Sequence, residues 1–128
     1  MRSNVRSFLS KTHLASLFMT VNQKTAIRYF QAFSDKDVKA LGNLLSDNVS
    51  LRDWEQSAEG KSAVLAANQA IFDSVGSISV SPLRLFSDGQ ALACEIAIAI
   101  DGGSPLKVVD ILEFDVEGKI CAVRAFKG

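Results

Sequence analysis

The chain has 128 residues, enough for one domain around one core, and 48% of them are apolar. Its 14 basic and 14 acidic side chains cancel, and no basic patch interleaved with aromatics is present, so nothing favours nucleic acid as a partner. No apolar run reaches the ~18 residues of a membrane-spanning helix.

Residues 1–20 form a distinct N-terminal extension. They carry Arg2, Arg6 and Lys11, four serines and no acid, and the first acidic residue of the chain is Asp35. Three readings stay open: a transit-like presequence, a stretch upstream of a working start at Met19, or an extra amphipathic helix with Val5, Phe8, Leu9 and Thr12 on one side. The location expected is cytoplasmic, or organellar if the extension is a transit peptide. Residues 21–128 form the domain.

Helical periodicity begins near Asn22, a suitable N-cap, with Ala26, Ile27, Tyr29, Phe30 and Phe33 as its apolar stripe. Ser34-Asp35-Lys36-Asp37 resembles a capping box with Asp for Glu and predicts a second short helix through Leu45. Val49 to Trp54 alternates as a short strand, and the alanine-rich run after Gly60 predicts a third helix ending near Gly76. Four strands follow, at Ser77–Phe86, Gln90–Ile100, Leu106–Val116 and Lys119–Phe126. Tight-turn signals at Ser87-Asp88-Gly89, Asp101-Gly102-Gly103 and Glu117-Gly118 separate them. That order predicts an α+β fold with an antiparallel meander and helices on one face of the sheet. Cys94 and Cys121 fall in predicted strands without metal-site spacing, so both are expected as free thiols.

Asp110 is the anomaly of the last half. The period of two puts it on one face with Leu106, Val108, Leu112, Phe114 and Val116, all apolar. An unpartnered ionised carboxylate there would cost several kcal/mol, so Asp110 is expected to be paired or to keep its proton. Asp53 repeats the pattern at the end of its strand, on a face with Val49 and Leu51, where a turn or capping role is the ordinary explanation. Tyr29 lies on the stripe of the first helix, where a core tyrosine is ordinary. Ala91, Ala93, Ala97 and Ala99 make the other face of their strand smooth around Glu95, which suits a closely approaching layer: a helix or a second subunit.

Together these segments resemble the ketosteroid isomerase branch of the NTF2-like (SnoaL-like) superfamily, over roughly Val21 to Gly128. Ile27 to Phe33 followed by Ser34-Asp35-Lys36-Asp37-Val38 is similar to that family's first helix and its turn. Leu44 to Asp53 is similar to its helix-to-strand passage, and Val109 to Ile120 to its later strand and hairpin. The resemblance implies a cone, in which a curved antiparallel sheet carries three helices on its concave face. It also implies three catalytic positions: Tyr29 as oxyanion-hole donor, Asp53 as general base and Asp110 as protonated acid. The activity implied is proton transfer next to a carbonyl in a small hydrophobic ketone, through an enolate and without a cofactor, in a homodimer. Trp54 departs from the family, which typically has proline after the base. Three alternatives accompany this reading. One is a non-catalytic small-ligand or dimerisation module, and another is a polyketide cyclase relative. The third is an epoxide hydrolase-like enzyme, which needs an Arg beside Asp53 and Asp110, with Arg84 and Arg124 the available ones. A histidine-dependent dehydratase fits poorly, because the single histidine, His13, lies in the extension.

Overall fold

A computed structural model describes residues 19–128, so the expectations for residues 1–18 lie outside the described residues. Three helices and six strands follow in the order α1 (Val21–Ser34), α2 (Val38–Leu44), β1 (Leu45–Arg52), β2 (Ser57–Glu59), α3 (Lys61–Ser74), β3 (Ile78–Asp88), β4 (Ala91–Ile100), β5 (Leu106–Phe114) and β6 (Ile120–Lys127). The strands make one curved, unclosed sheet in the order β2-β1-β6-β5-β4-β3. The meander β3 to β6 is antiparallel as expected. The sheet as a whole is mixed, however, because β1 runs parallel to β6. A parallel neighbour needs a long crossover, and here the whole of β2 to β5 supplies it.

Caps and strand ends differ from the sequence expectation in instructive ways. The N-cap of α1 is Thr20, not Asn22. Its Oγ1 accepts from Gln23 N at 3.1 Å and Gln23 Oε1 accepts from Thr20 N at 2.9 Å, a reciprocal capping box. Ser34 does not open α2; Asp37 does, accepting from Ala40 N at 3.0 Å. Ser34 instead ends α1 and clamps it to the sheet. Its hydroxyl donates to Phe30 O at 3.0 Å and accepts from Val80 N of the edge strand β3 at 2.8 Å. Strand β1 starts earlier than expected, at Leu45, and the three-residue β2 had no apolar alternation to announce it.

The apolar face of β5 stops at Phe114. Val116 is 97% exposed, in a turn where Asp115 Oδ1 accepts from Glu117 N and Lys119 N, both at 2.9 Å. Gly118 closes that turn at φ +81°, a left-handed value that penalises any side chain. The core lies between the concave side of the sheet and the helices. Phe30, Leu41, Leu45, Val49, Val64, Leu92, Ile96, Leu112 and Ile120 form its centre. Burial of those side chains, at about 1.5–3 kcal/mol each, is what holds the layers together.

Candidate active site

Strand pairing decides what surrounds Asp110. Cys94 of β4 and Ala125 of β6 are its cross-strand partners, and both are small. Val108 and Leu112 lie before and after it on the same face, both buried. Asp110 is thus flanked by small side chains across the sheet and by apolar ones along its own strand. Tyr29 of α1 is near enough to feel the charge of Asp110; it is only 4% exposed, in edge contact with Phe30 at 5.5 Å and packed on Phe33 at 6.0 Å between ring centroids.

Asp110 is only 7% exposed. Burial, and secondarily the charge of Asp53, pushes its carboxyl up to about 7 from an ordinary 3.8. Near neutrality a substantial share of the group is therefore carboxylic acid, able to donate a hydrogen bond, and at lower pH most of it is. Burial, with the nearby Asp110 and Cys94, raises the Tyr29 hydroxyl well above its usual range. Burial and Asp110 push the Cys94 thiol up to about 12. Tyr29 and Cys94 thus keep their protons at neutral pH, while Asp110 stands near the midpoint of its titration.

Asp53 lies one residue past the last β1–β6 pair, Arg52 with Arg124. By alternation its side chain is on the concave side, in line with Ala125 and Asp110, about 10 Å from the latter by two strand spacings. It also organises the β1–β2 turn. Its Oδ1 accepts from Glu55 N and Gln56 N, both at 2.8 Å, while Oδ2 has one long contact with Gln56 Nε2 at 3.4 Å. The turn role expected of a strand-end Asp is real, and one oxygen is left lightly held. Trp54 is exposed beside it, with Lys127 Nζ 5.7 Å from the ring centroid.

The two arginines available for an Asp-Arg-Asp arrangement point away. Arg124 faces Ile111 and Arg52 across the sheet and is ion-paired with Glu113, on the outer side. Arg84 pairs across with Glu95 on that same side and lies over Phe86 at 5.1 Å. Among the described residues no group of three or more His, Cys, Asp or Glu could hold a metal ion, and no helix is long and apolar enough to cross a membrane.

Two inward polar groups were not singled out from the sequence. Cys94 enters through its pairing with Asp110, which no local pattern reveals. Asn68 of α3 is 2% exposed, and its Nδ2 has no hydrogen-bond partner among the described residues. Its signal was legible: Val64, Asn68 and Phe72, spaced by four, form the buried face of α3, and one polar side chain interrupts it. An unpartnered buried donor costs about 1–3 kcal/mol, and Asn in a helix interior up to ~0.7 more than Ala.

The SnoaL-like domain model matches residues 26–123. Solved structures of similar shape include one named a candidate ketosteroid isomerase from Kribbella flavida. It is 23% identical over 84% of this chain and 78% of that one, with a TM-score of 0.73. A protein from Sinorhizobium meliloti named a candidate polyketide cyclase is 20% identical, over 86% and 97%, with a TM-score of 0.74. A candidate isomerase of the SnoaL-like family from Agrobacterium tumefaciens is 18% identical, over 86% and 99%, with a TM-score of 0.75. No curated protein sequence matches the chain. At such identities the shared shape speaks for the fold, and the model match over most of the domain speaks for kinship: the chain belongs to the SnoaL-like family of NTF2-like domains.

Proposed function

We propose that the protein is a ketosteroid isomerase-like acid–base enzyme that moves a proton next to the carbonyl of a small hydrophobic ketone, with no cofactor. One observation carries the reading: a nearly buried carboxyl whose proton is held up to about 7, beside a buried tyrosine in an apolar wall. Tyr29 and the acid form of Asp110 donate to the carbonyl oxygen as it becomes an enolate oxygen. Asp53, through Oδ2, takes the proton from the neighbouring carbon and returns it at another, so the enzyme ends unchanged. The ~10 Å between the two aspartates, by strand spacing, leaves room for a carbonyl and the carbons next to it. Names of isomerases and of a polyketide cyclase among the structural neighbours are in keeping with proton chemistry on apolar ketones.

A second reading, a non-catalytic module that binds a small ligand in the same hollow, is favoured by the turn bonds of Asp53, which give that residue a structural reason to be there. Asp53→Asn separates the two. An asparagine oxygen accepts the same two turn amides, so the melting temperature should stay within a degree or two. Conversion of a β,γ-unsaturated cyclic ketone to its conjugated isomer should fall by ~10²–10⁴. A wild type without isomerase activity, or a variant as fast as the wild type, would leave the binding module as the account of the site.

A further inference from the structure

Of the cations on the last four strands, Lys127 alone starts from the concave side. Arg84, Lys107 and Arg124 pair across the sheet with Glu95, Ala97 and Ile111 on the outer side. Lys127 pairs with Val108, which is buried on the face of β5 that carries Asp110. It stands two residues, about 7 Å, beyond Ala125, the cross-strand partner of Asp110. Trp54 meets it there. Strand β1 ends at Arg52, and the turn held by Asp53 brings the indole ring to 5.7 Å from Lys127 Nζ. An aromatic face attracts an ammonium without cancelling its charge. Lys127 takes part in neither ion pair of the described residues, Lys61 with Asp47 and Arg124 with Glu113. A positioned cation without a carboxylate partner thus borders the line from Asp53 to Asp110, at an end of the sheet where it and Trp54 are both exposed.

We infer that Lys127, seated against Trp54, receives a carboxylate of the substrate, at the end opposite to the carbonyl held by Tyr29 and Asp110. The inference rests on the enolate site proposed above and adds the substrate class: a small apolar ketone that also bears a carboxylate, rather than a neutral one. On the concave side of β5 and β6, Asp110 and Lys127 are the charged residues among apolar ones. Asp53 and Asp110 repel an anion, and Lys127 attracts one. A substrate carboxylate is therefore turned outward, which leaves the ketone end facing its donors. An exposed ammonium–carboxylate pair contributes little by itself. The reversed pose, with the carboxylate against the two aspartates, is penalised as well. Attraction at one end and repulsion at the other together orient the molecule.

The test uses two probe pairs of different length, each differing by one distal carboxylate: phenol with 4-hydroxybenzoate, and 2-naphthol with 6-hydroxy-2-naphthoate. Affinities are measured at low salt for the wild type, Lys127→Met, which keeps the stem and drops the charge, and Lys127→Arg, which keeps the charge. The expected result is that the carboxylate improves wild-type binding about three- to tenfold in at least one pair, and that added salt shrinks the gain. Lys127→Met should erase the gain while the neutral phenols bind as they do to the wild type. Lys127→Arg should retain it. Wild-type binding of the neutral phenols without any gain from the carboxylate would overturn the inference alone. So would a gain that survives in Lys127→Met. Equal weakening of neutral and charged probes in that variant would mark a structural residue, and overturn it too. Failure of every probe to bind the wild type would remove the enolate site itself, and this inference with it.

Discussion

A carboxyl flanked across the sheet by a thiol and a methyl group has no neighbour to share its charge with. Cys94 and Ala125 are those neighbours, and Asp53, the other charge that reaches Asp110, is of the same sign. Asp110 therefore keeps its proton to about 7 when folded and loses it near 3.8 when unfolded. Below 3.8 both states are protonated and the stabilisation is fully present. It is lost progressively as pH rises to about 7, by about 1.4 kcal/mol per pH unit, and beyond that the slope vanishes. Urea unfolding of the wild type and Asp110→Asn across pH 4 to 8 should show that slope in the wild type only. Parallel curves would contradict it. Asp110 was legible in the sequence because it is the one charged side chain on the apolar face of its own strand. Tyr29 was legible as a position, but only the fold shows what it covers. The double duty of Asp53 was half legible: a turn role could be foreseen, the pair of amides on Oδ1 could not.

At the scale of elements, α1 holds the site together. It delivers Tyr29, and its last residue, Ser34, ties it to β3 through Phe30 O and Val80 N. Replacing Ser34 by Ala leaves the Val80 amide of an edge strand without that acceptor. The variant should lose about 1–3 kcal/mol in denaturant unfolding, with a weaker grip on phenols as Tyr29 loosens. Unaltered stability would show that water replaces the hydroxyl. The meander strands were legible because alternation and turn residues recur at short range. Pairing of β1 with β6 was not, since nothing local in Leu45–Arg52 names a partner so distant in the chain. Nor was β2, whose Ser57-Ala58-Glu59 carries no apolar period. Capping shifted by two residues at Thr20 and three at Asp37 because several Ser, Thr, Asn and Asp candidates stand close together, and the tertiary contact of Ser34 takes one of them away.

Over the whole molecule, the two sides of the sheet have separate duties. Its concave side faces the helices and holds the titratable cluster. The outer side presents half-buried Ala93, Ala97 and Ala99 on β4, ringed by exposed Val109, Phe126 and Phe86. Both charge signs border it, with Arg84 opposite Glu95 and Arg124 paired with Glu113. We propose this face as the seat of the expected homodimer, since a patch carrying apolar groups and both signs is complementary to its own copy across a two-fold axis. Sedimentation should give a dimer for the wild type and a monomer for Val109→Glu. A wild-type monomer, or a Val109→Glu dimer, would refute that placement without touching the proposed site.

The protonation of Asp110 decides whether an enolate oxygen finds a second donor, and it can be observed without knowing the substrate. A pH titration of the aspartate side-chain carboxyl carbons by 13C NMR, with Asp110→Asn to assign the signal, would read it directly. One carboxyl should titrate near 7 and be missing from the variant. A resonance for Asp110 that titrates near 4 would make it an ordinary carboxylate, and an enolate could expect no hydrogen bond from it at neutral pH.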